Sequence, residues 1–459
     1  MAGKKGKGFS LGGLYSWITG NMDSFGLTDF SAVVALLLIA YRGTQDPETF
    51  WQMGAFFLAP LPLVLPVLLY KLWWHGWMEY IQEDKYWNRR EYAVLEVKLP
   101  EEITQSPYAM ELFLRSLYQT GEIDTPIDQY WKGHVKPFFS LELVSTEGAV
   151  RFYIWTWKQF KNFVESQIYA HYPTVQVYEV PDYTLSVPYN AYDKNCEFDM
   201  WCIEQELQKP DPYPIATYVS TEQAKQDLDE EFKHDQMSSL LEFFSIMKAG
   251  EHAWMQIIIR GHTVCPQATD KGPGHPISIT EWVEVERNKI LALTIDDPKD
   301  DKQKANFQRL PEGLRTEVKA MELKPHKQMF DVGIRMIYLY RNDDPSLGKQ
   351  KVGFPTALRV YEHGSQGRGL NGFKPVFVIG PFDYPWQDYF GIRRRFLKQQ
   401  MYDGYVQRQY FFPPIGRKWI ALNVEEIASV YHFPGKVVQT PTLQRMPSKR
   451  GDAPANLPT

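Results

Sequence analysis

From Gly54 to Tyr70 the chain reads GAFFLAPLPLVLPVLLY, seventeen residues without a charge. Such a run must be hidden in lipid or in a protein core. As a helix it covers about 26 Å, just short of a bilayer's hydrocarbon layer. Trp51 precedes it and Trp73, Trp74 and Trp77 follow, as aromatic belts do at the two interfaces. Lys71, Lys85, Arg89 and Arg90 then stop the run. The sequence therefore predicts a transmembrane helix over residues 54–78, behind a basic, amphipathic segment 1–53 that holds a short apolar helix.

That short stretch, Phe30 to Tyr41, is too brief to cross untilted. It reads as an interfacial helix or as the first arm of a helical hairpin; a buried core hairpin is the alternative for both runs. The leader Lys4, Lys5 and Lys7 lies too far ahead of the apolar core for a cleavable signal peptide. Prolines 60, 62 and 66 are tolerated better in lipid than in water. A hairpin would put both basic clusters on the cytoplasmic side. Cysteine stands only at 196, 202 and 265, a sparse, odd set that points to a reducing compartment. The expectation is the inner (cytoplasmic) membrane, with the remaining domains in the cytoplasm.

With 459 residues, 44% of them hydrophobic, the chain can build two or three cores. A net charge of −5 lacks the basic surplus of a protein whose main partner is a nucleic-acid backbone. Residues 91–181 alternate strand and helix patterns: Tyr92–Leu99; a helix capped by Ser106-Pro107 with Met110, Phe113, Leu114 and Leu117 on one face; Phe139–Leu143; a hairpin turn at Thr146-Glu147-Gly148; Val150–Ile154; a helix over Phe160, Phe163, Val164 and Ile168; and a strand opening at Val175 and Val177. This β-α-β-β-α-β order is the plan of ferredoxin-like domains.

A connector, 182–214, carries strand patterns at Tyr183–Tyr189 and Phe198–Leu207. The plan then repeats over 215–380: a strand at Ile215–Val219, a helix at Met237–Met247, strands at Trp254–Ile259 and Asp331–Tyr340, a second helix from Thr356 to Tyr361 and a closing strand at Val376–Ile379. A charged, helix-prone insertion occupies 261–326. A helical region, 381–433, contains a basic helix near Gly391–Gln400 and a short one over Glu425–His432; 434–459 is an extended tail. The expected fold class is α+β, with N-terminal transmembrane segment(s) followed by two ferredoxin-like domains, the second decorated by the insertion.

Candidate chemistry is thin. No GxxxxGK[ST], GxSxG or HExxH pattern occurs. Gly364–Gly372 is glycine-rich but lacks the lysine–hydroxyl ending of a phosphate cradle, and reads as a loop. Cys196, Cys202, His262 and Cys265 have zinc-ligand chemistry, but the gap between the first two is wide for a zinc knuckle. Arg151, Tyr153 and Trp155 share a strand face without an RNA-recognition signature. Arg393, Arg394 and Arg395 are consecutive, so on a helix they spread around the axis. Asp296-Asp297 and Glu230-Glu231 read as solvated surface and His432 as a helix-end residue. No catalytic, cofactor-binding or metal residue is assigned.

Four stretches, Glu91–Gly121, Pro137–Tyr183, Lys209–Val219 and Val424–Pro458, resemble membrane-anchored proteins of patescibacterial (candidate phyla radiation) bacteria. In many of these the region precedes a P-loop ATPase of the type IV secretion or conjugation class. The resemblance covers nearly all of residues 60–459 and includes no catalytic residue. It implies a non-enzymatic scaffold that docks a cytoplasmic ATPase, with Glu425–Thr459 as the contact or linker. This sequence stops at Thr459, where the ATPase would begin, so either a separate ATPase polypeptide is expected or the standalone form serves another envelope structure. Lipid bilayer and possible self-association complete the expected partners, with no direct nucleic-acid contact. A membrane-surface enzyme or a nucleic-acid-binding accessory are the alternatives.

Overall fold

The computed structural model describes residues 61–82, 90–100, 105–119, 125–193, 195–220, 235–263, 278–292, 307–362, 369–380, 388, 390–412, 415–435 and 445–446. The N-terminal segment, the Phe30–Tyr41 run, Cys265, both acidic pairs and most of the tail lie outside them.

The chain divides into two compact units. The smaller comprises 1–89, 125–135 and 412–416; the larger holds the rest. In the smaller unit, helix α1 (Leu61–Glu79) lies beside the Thr125–Val135 segment. Trp77 Nε1 donates to the Tyr130 carbonyl at 2.9 Å, and Trp74 meets the Tyr130 ring at 5.3 Å. Gly133 turns with φ 73°, and a Cβ there would sit 2.1 Å from Ile81 Cγ2, so only glycine fits.

Among the described residues no helix is long and apolar enough to cross a membrane. This overturns the transmembrane reading of 54–78. Residues 54–60 of that reading lie outside the described residues; from Leu61 on, the turns of helix α1 admit Lys71, His75 and Glu79 among the tryptophans, which makes the helix too polar for a span.

The larger unit is built on one sheet. Its elements, in order, are β1 (Tyr92–Pro100), α2 (Pro107–Ser116), β2 (Phe138–Thr146), β3 (Ala149–Trp157), α4 (Lys161–His171), β4 (Gln176–Val180), β5 (Phe198–Leu207), α5 (Ser238–Ser245), β6 (Glu251–Gly261), α6 (Ile279–Ala292), α7 (Glu312–Leu323), β7 (Met329–Arg341), β8 (Phe373–Val376), α8 (Ile392–Val406), β9 (Ile420–Asn423), α9 (Val424–Val430) and β10 (Arg445–Met446). Helix α3 (Pro126–Tyr130) belongs to the smaller unit. Strands β1 to β9 pair antiparallel, and β10 runs parallel beside Leu99-Pro100.

Across the sheet the order is β4-β1-β3-β2-β6-β7-β5-β8, with β9 pairing the start of β7. The second half repeats the order of the first, read backwards, so β2 and its counterpart β6 meet at the centre. They pair from Phe138 opposite Arg260 to Thr146 opposite His252.

The expectation of two separate ferredoxin-like domains is therefore corrected. In separate domains β2 and β6 would be exposed edges; here each covers the other's unpaired backbone, and one apolar core runs beneath both halves. The boundary drawn at residue 215 also moves. Strand β5, placed in the connector by the sequence, opens the second half, while Ile215 makes a single bridge to Asn371. Short 3-10 turns at Phe354–Thr356 and Arg359–Tyr361 stand where a second helix was expected, and the closing strand is Phe373–Val376. Residues 261–326 supply α6 and α7, which bury a small core of their own around Val283, Leu291, Val318 and Met321.

Both faces of the sheet are covered. On one, Leu141, Ile154, Met255, Ile257, Ile334 and Met336 pack against α2, α4, α5 and α9. The other is roofed by the 3-10 turn Tyr183–Ser186, by α8 and by Arg408–Phe411, so the strands are buried on both sides. This explains why β6 and β7 read as nearly unbroken apolar runs rather than alternating ones. The roof sits close at Gly333, where a Cβ would lie 2.4 Å from the Tyr410 ring.

Candidate functional site

Strand register lines up a row of polar side chains beneath the roof. Glu142 of β2 lies opposite Gln256 of β6, Gln256 opposite Arg335 of β7, and Arg335 opposite Glu204 of β5. Successive residues alternate faces, so each sits on the same side of its strand as the next. Ser140 Oγ and Gln256 Nε2 each donate to Glu142 at 2.7 Å. Arg335 Nε donates to Gln256 Oε1 at 2.6 Å, and its Nη2 to the Gly404 carbonyl at 2.7 Å. Burial pulls the Arg335 guanidinium down to about 10 and raises the Glu204 carboxyl.

Arg408 closes the row from above. Its Nε and Nη2 donate to the two Glu142 oxygens at 3.0 Å each, and Nη2 also reaches Asp182 Oδ1 at 3.1 Å. A second short bond joins Nη1 to Asp182. The backbone there is left-handed, φ 55°, where a non-glycine residue is uncommon. Burial alone would lower the Arg408 pKa; Glu142 and Asp182 together hold it well above its ordinary value. Above it the Tyr183 and Tyr405 hydroxyls share a hydrogen bond at 2.8 Å, and burial raises both phenols. One cation and two carboxylates, all inaccessible, thus fasten β2, the roof turn and the end of α8 together.

A second buried pair lies under the opposite face. Lys324 Nζ sits 3.1 Å from Glu426, both fully enclosed. Glu426 also accepts from the backbone N–H of Ile215 at 3.0 Å and of Asn423 at 2.8 Å, completing the capping box that starts α9. Beside it Lys327 bridges Glu111 of α2 and Glu425, at 2.9 and 2.7 Å. Burial pushes the nearby Asp211 carboxyl up to about 6.

His432 ends α9 in a third arrangement. Its Nδ1 is 2.8 Å from the Ala428 carbonyl and its Nε2 is 3.1 Å from Asp235 Oδ1. Both neighbours are acceptors, so both ring nitrogens must donate, and the ring is an imidazolium. Burial opposes that charge, but Asp235 and the carbonyls outweigh it and raise the pKa above 6.5. The stability this pair contributes is complete below about pH 6.5 and lost as pH rises through the raised value. The midpoint of thermal unfolding should therefore fall across that interval in the wild type, and His432→Gln should flatten the slope.

The sequence candidates fare differently. Cys202 is buried on β5 opposite Ile337, and burial raises its thiol pKa. His262 follows Gly261, which lies opposite Phe330. Seven residues along β7, roughly 23 Å at the usual strand rise, separate those positions. His262 instead pairs with Asp331 at 2.6 Å, and Arg260 holds the other oxygen at 2.7 Å. Among the described residues no group of three or more ligands stands together to hold a metal.

Gly364–Arg368 lie outside the described residues. At the end of that loop Gly369 N–H donates to Glu317 at 2.6 Å, and buried Asn371 bonds to the backbone of Lys209, Pro210 and Tyr213. The amides of Arg393 and Arg394 are capped by Asp388, while Arg395 donates to two backbone carbonyls. Arg394, Arg395 and Lys398 border a cavity of about 140 Å³ with Asp199 and Cys196, below the roughly 300 Å³ where small-molecule pockets begin. Tyr153 and Trp155, weighed as an exposed RNA-stacking face, are buried under the chain's own Tyr183 and Phe138.

The fold and its buried row thus define an α+β protein whose larger unit stands on a wide antiparallel sheet, with a few ionisable groups buried as fasteners. No protein-family model matches the chain, and no curated protein matches it significantly.

Proposed function

We propose that this chain is a non-enzymatic docking platform in a type IV secretion- or conjugation-like assembly, holding a cytoplasmic P-loop ATPase in place. The observation that carries the reading is the use made of the buried ionisable groups. Arg408 bonds to both Glu142 and Asp182 across distant segments, as do Lys324 with Glu426 and His432 with Asp235. On this reading these pairs fix one register between the elements they join, a role buried ion pairs have in some proteins. A rigid plate is what a motor needs to push against, and the family resemblance supplies the motor's class.

One detail of the sequence expectation changes. Helix α9 was grouped with the tail as the docking contact, but its residues are packed into the core and bonded to α2 through Lys327. On this reading the motor contact lies beyond it, in residues 436–459.

The test is photo-crosslinking from positions in 436–459 in native cells, with captured proteins identified by mass spectrometry. Recovery of a P-loop ATPase is the expected result. Capture of no larger partner, from a chain isolated as a lone monomer, would overturn the assignment.

A further inference from the structure

At the start of β5 a cavity gathers more cations than acids. Arg394, Arg395 and Lys398 of α8 line it together with Asp193, Cys196 and Asp199. Arg394 and Arg395 precede Lys398 by four and three residues, so these three side chains are neighbours on one helix face.

The two acids leave the cations unbalanced. Asp199 already takes the Lys398 ammonium in a short bond, the Tyr340 hydroxyl at 2.7 Å and the Met200 N–H at 2.8 Å. Asp193 accepts the Asn195 N–H at 2.9 Å. A fourth cation stands behind Tyr340, where Lys351 Nζ donates to the hydroxyl at 2.6 Å and lies 4.4 Å from the ring centre. Burial pulls the Lys351 pKa down; Asp199 opposes the shift and Lys398 adds to it, as crowded like charges do.

Arg395 is held in place by neutral groups. Its Nε donates to the Gly391 carbonyl at 3.0 Å and its Nη2 to the Phe390 carbonyl at 2.8 Å, which fixes the guanidinium and leaves Nη1 outside both bonds. The amides that open α8 play no part, because Asp388 takes those of Arg393 and Arg394. Four cations thus meet two carboxylates, an imbalance that one dianion would cancel.

Size selects among anions. The cavity of about 140 Å³ equals the liquid volume of about four to five waters. That admits a tetrahedral oxyanion, whose oxygens suit the guanidinium fork, and excludes a nucleotide, whose sites begin at roughly 300 Å³.

We propose that this cavity binds a free, phosphate-sized oxyanion between Arg394, Arg395 and Lys398. The site does not depend on the motor-docking role, since a chain that binds phosphate but captures no ATPase would satisfy one and sink the other.

The experiment is calorimetric titration of the full chain with inorganic phosphate, the ionic strength held constant with chloride. Cys196 supplies a local readout, because it lines the cavity half-buried while Cys202 is enclosed. Phosphate at ten times its dissociation constant should slow alkylation of Cys196 by iodoacetamide about tenfold, read by peptide mass spectrometry. Arg394→Gln/Arg395→Gln, with an unchanged urea unfolding curve, should bind about a hundredfold more weakly, or about tenfold for each charge-assisted bond lost. Should the double variant unfold early, the exposed Arg394→Gln alone should show the tenfold loss. No heat and no protection of Cys196 at millimolar phosphate would overturn the proposal. So would a double variant that binds as tightly as the wild type, because the anion would then sit elsewhere. Protection by adenosine monophosphate equal to that by phosphate would overturn the restriction to a free anion.

Discussion

Arg408→Met should lower the free energy of unfolding by about 3–5 kcal/mol, the usual loss when one partner of a buried ion network is removed. The side chain is fully enclosed and faces two carboxylates, those of Glu142 and Asp182. Methionine fills much of the volume but leaves both acids beneath the Tyr183 and Tyr405 rings without their cation. Lysine should recover little of the loss, because a single ammonium cannot copy the two parallel bonds to Glu142 and still reach Asp182. The decisive comparison is the triple variant Arg408→Met/Glu142→Gln/Asp182→Asn. With every charge removed it should be clearly more stable than Arg408→Met alone, as uncharged replacements of buried ion networks often are. Urea unfolding at neutral pH with an unchanged m-value reads all three. A single-variant loss under about 1 kcal/mol would show that the network is not a buried charge cluster.

How far this network was legible in the sequence follows from where its members lie. The apolar half of each pattern was plain: Phe139, Leu141 and Leu143 face the core, and α2 and α4 show their buried faces in their spacing. Ser140 and Glu142 alternate with them, which reads as a water-facing side, but the roof that covers them is built by residues up to 266 positions away. Nothing local announces that cover. The usable hints were Gln256 inside WMQIII and Arg335 inside DVGIRMIYLY, single polar residues in otherwise apolar central strands. Such a residue is either an error of the pattern or half of a buried pair, and the second reading would have predicted a row.

The same limit explains the domain boundary. Periodicity identifies strands but not which of them pair, so a β2–β6 seam looks in sequence like two free edges. At α9 the local signal was better: Asn423 and Glu426 stand at capping-box spacing. What spacing could not show is that Glu426 has a second task, meeting Lys324 and the Ile215 amide.

That double task makes Lys324→Met the other large effect expected. Removing the ammonium leaves Glu426 enclosed with only backbone N–H donors, so a loss of about 3–5 kcal/mol is again expected at neutral pH. This defect should be strongly pH-dependent. Burial already raises the Glu426 pKa above its ordinary 4.5, with Lys324 the strongest opposing influence. Without Lys324 the folded value climbs further. A carboxyl whose folded pKa exceeds its unfolded one binds its proton more tightly when folded, so stability is regained as pH falls through the raised value toward 4.5. The difference between wild type and variant should therefore shrink on acidification. The double variant Lys324→Met/Glu426→Gln should lose the extra pH dependence and recover part of the stability. Recovery stays partial because the glutamine amide has one acceptor oxygen, while the Ile215 and Asn423 amides are served by two. A Lys324→Met defect of constant size from neutral to mildly acidic pH would mean that Glu426 is not held as a buried carboxylate, and that α9 is fixed by its apolar face alone.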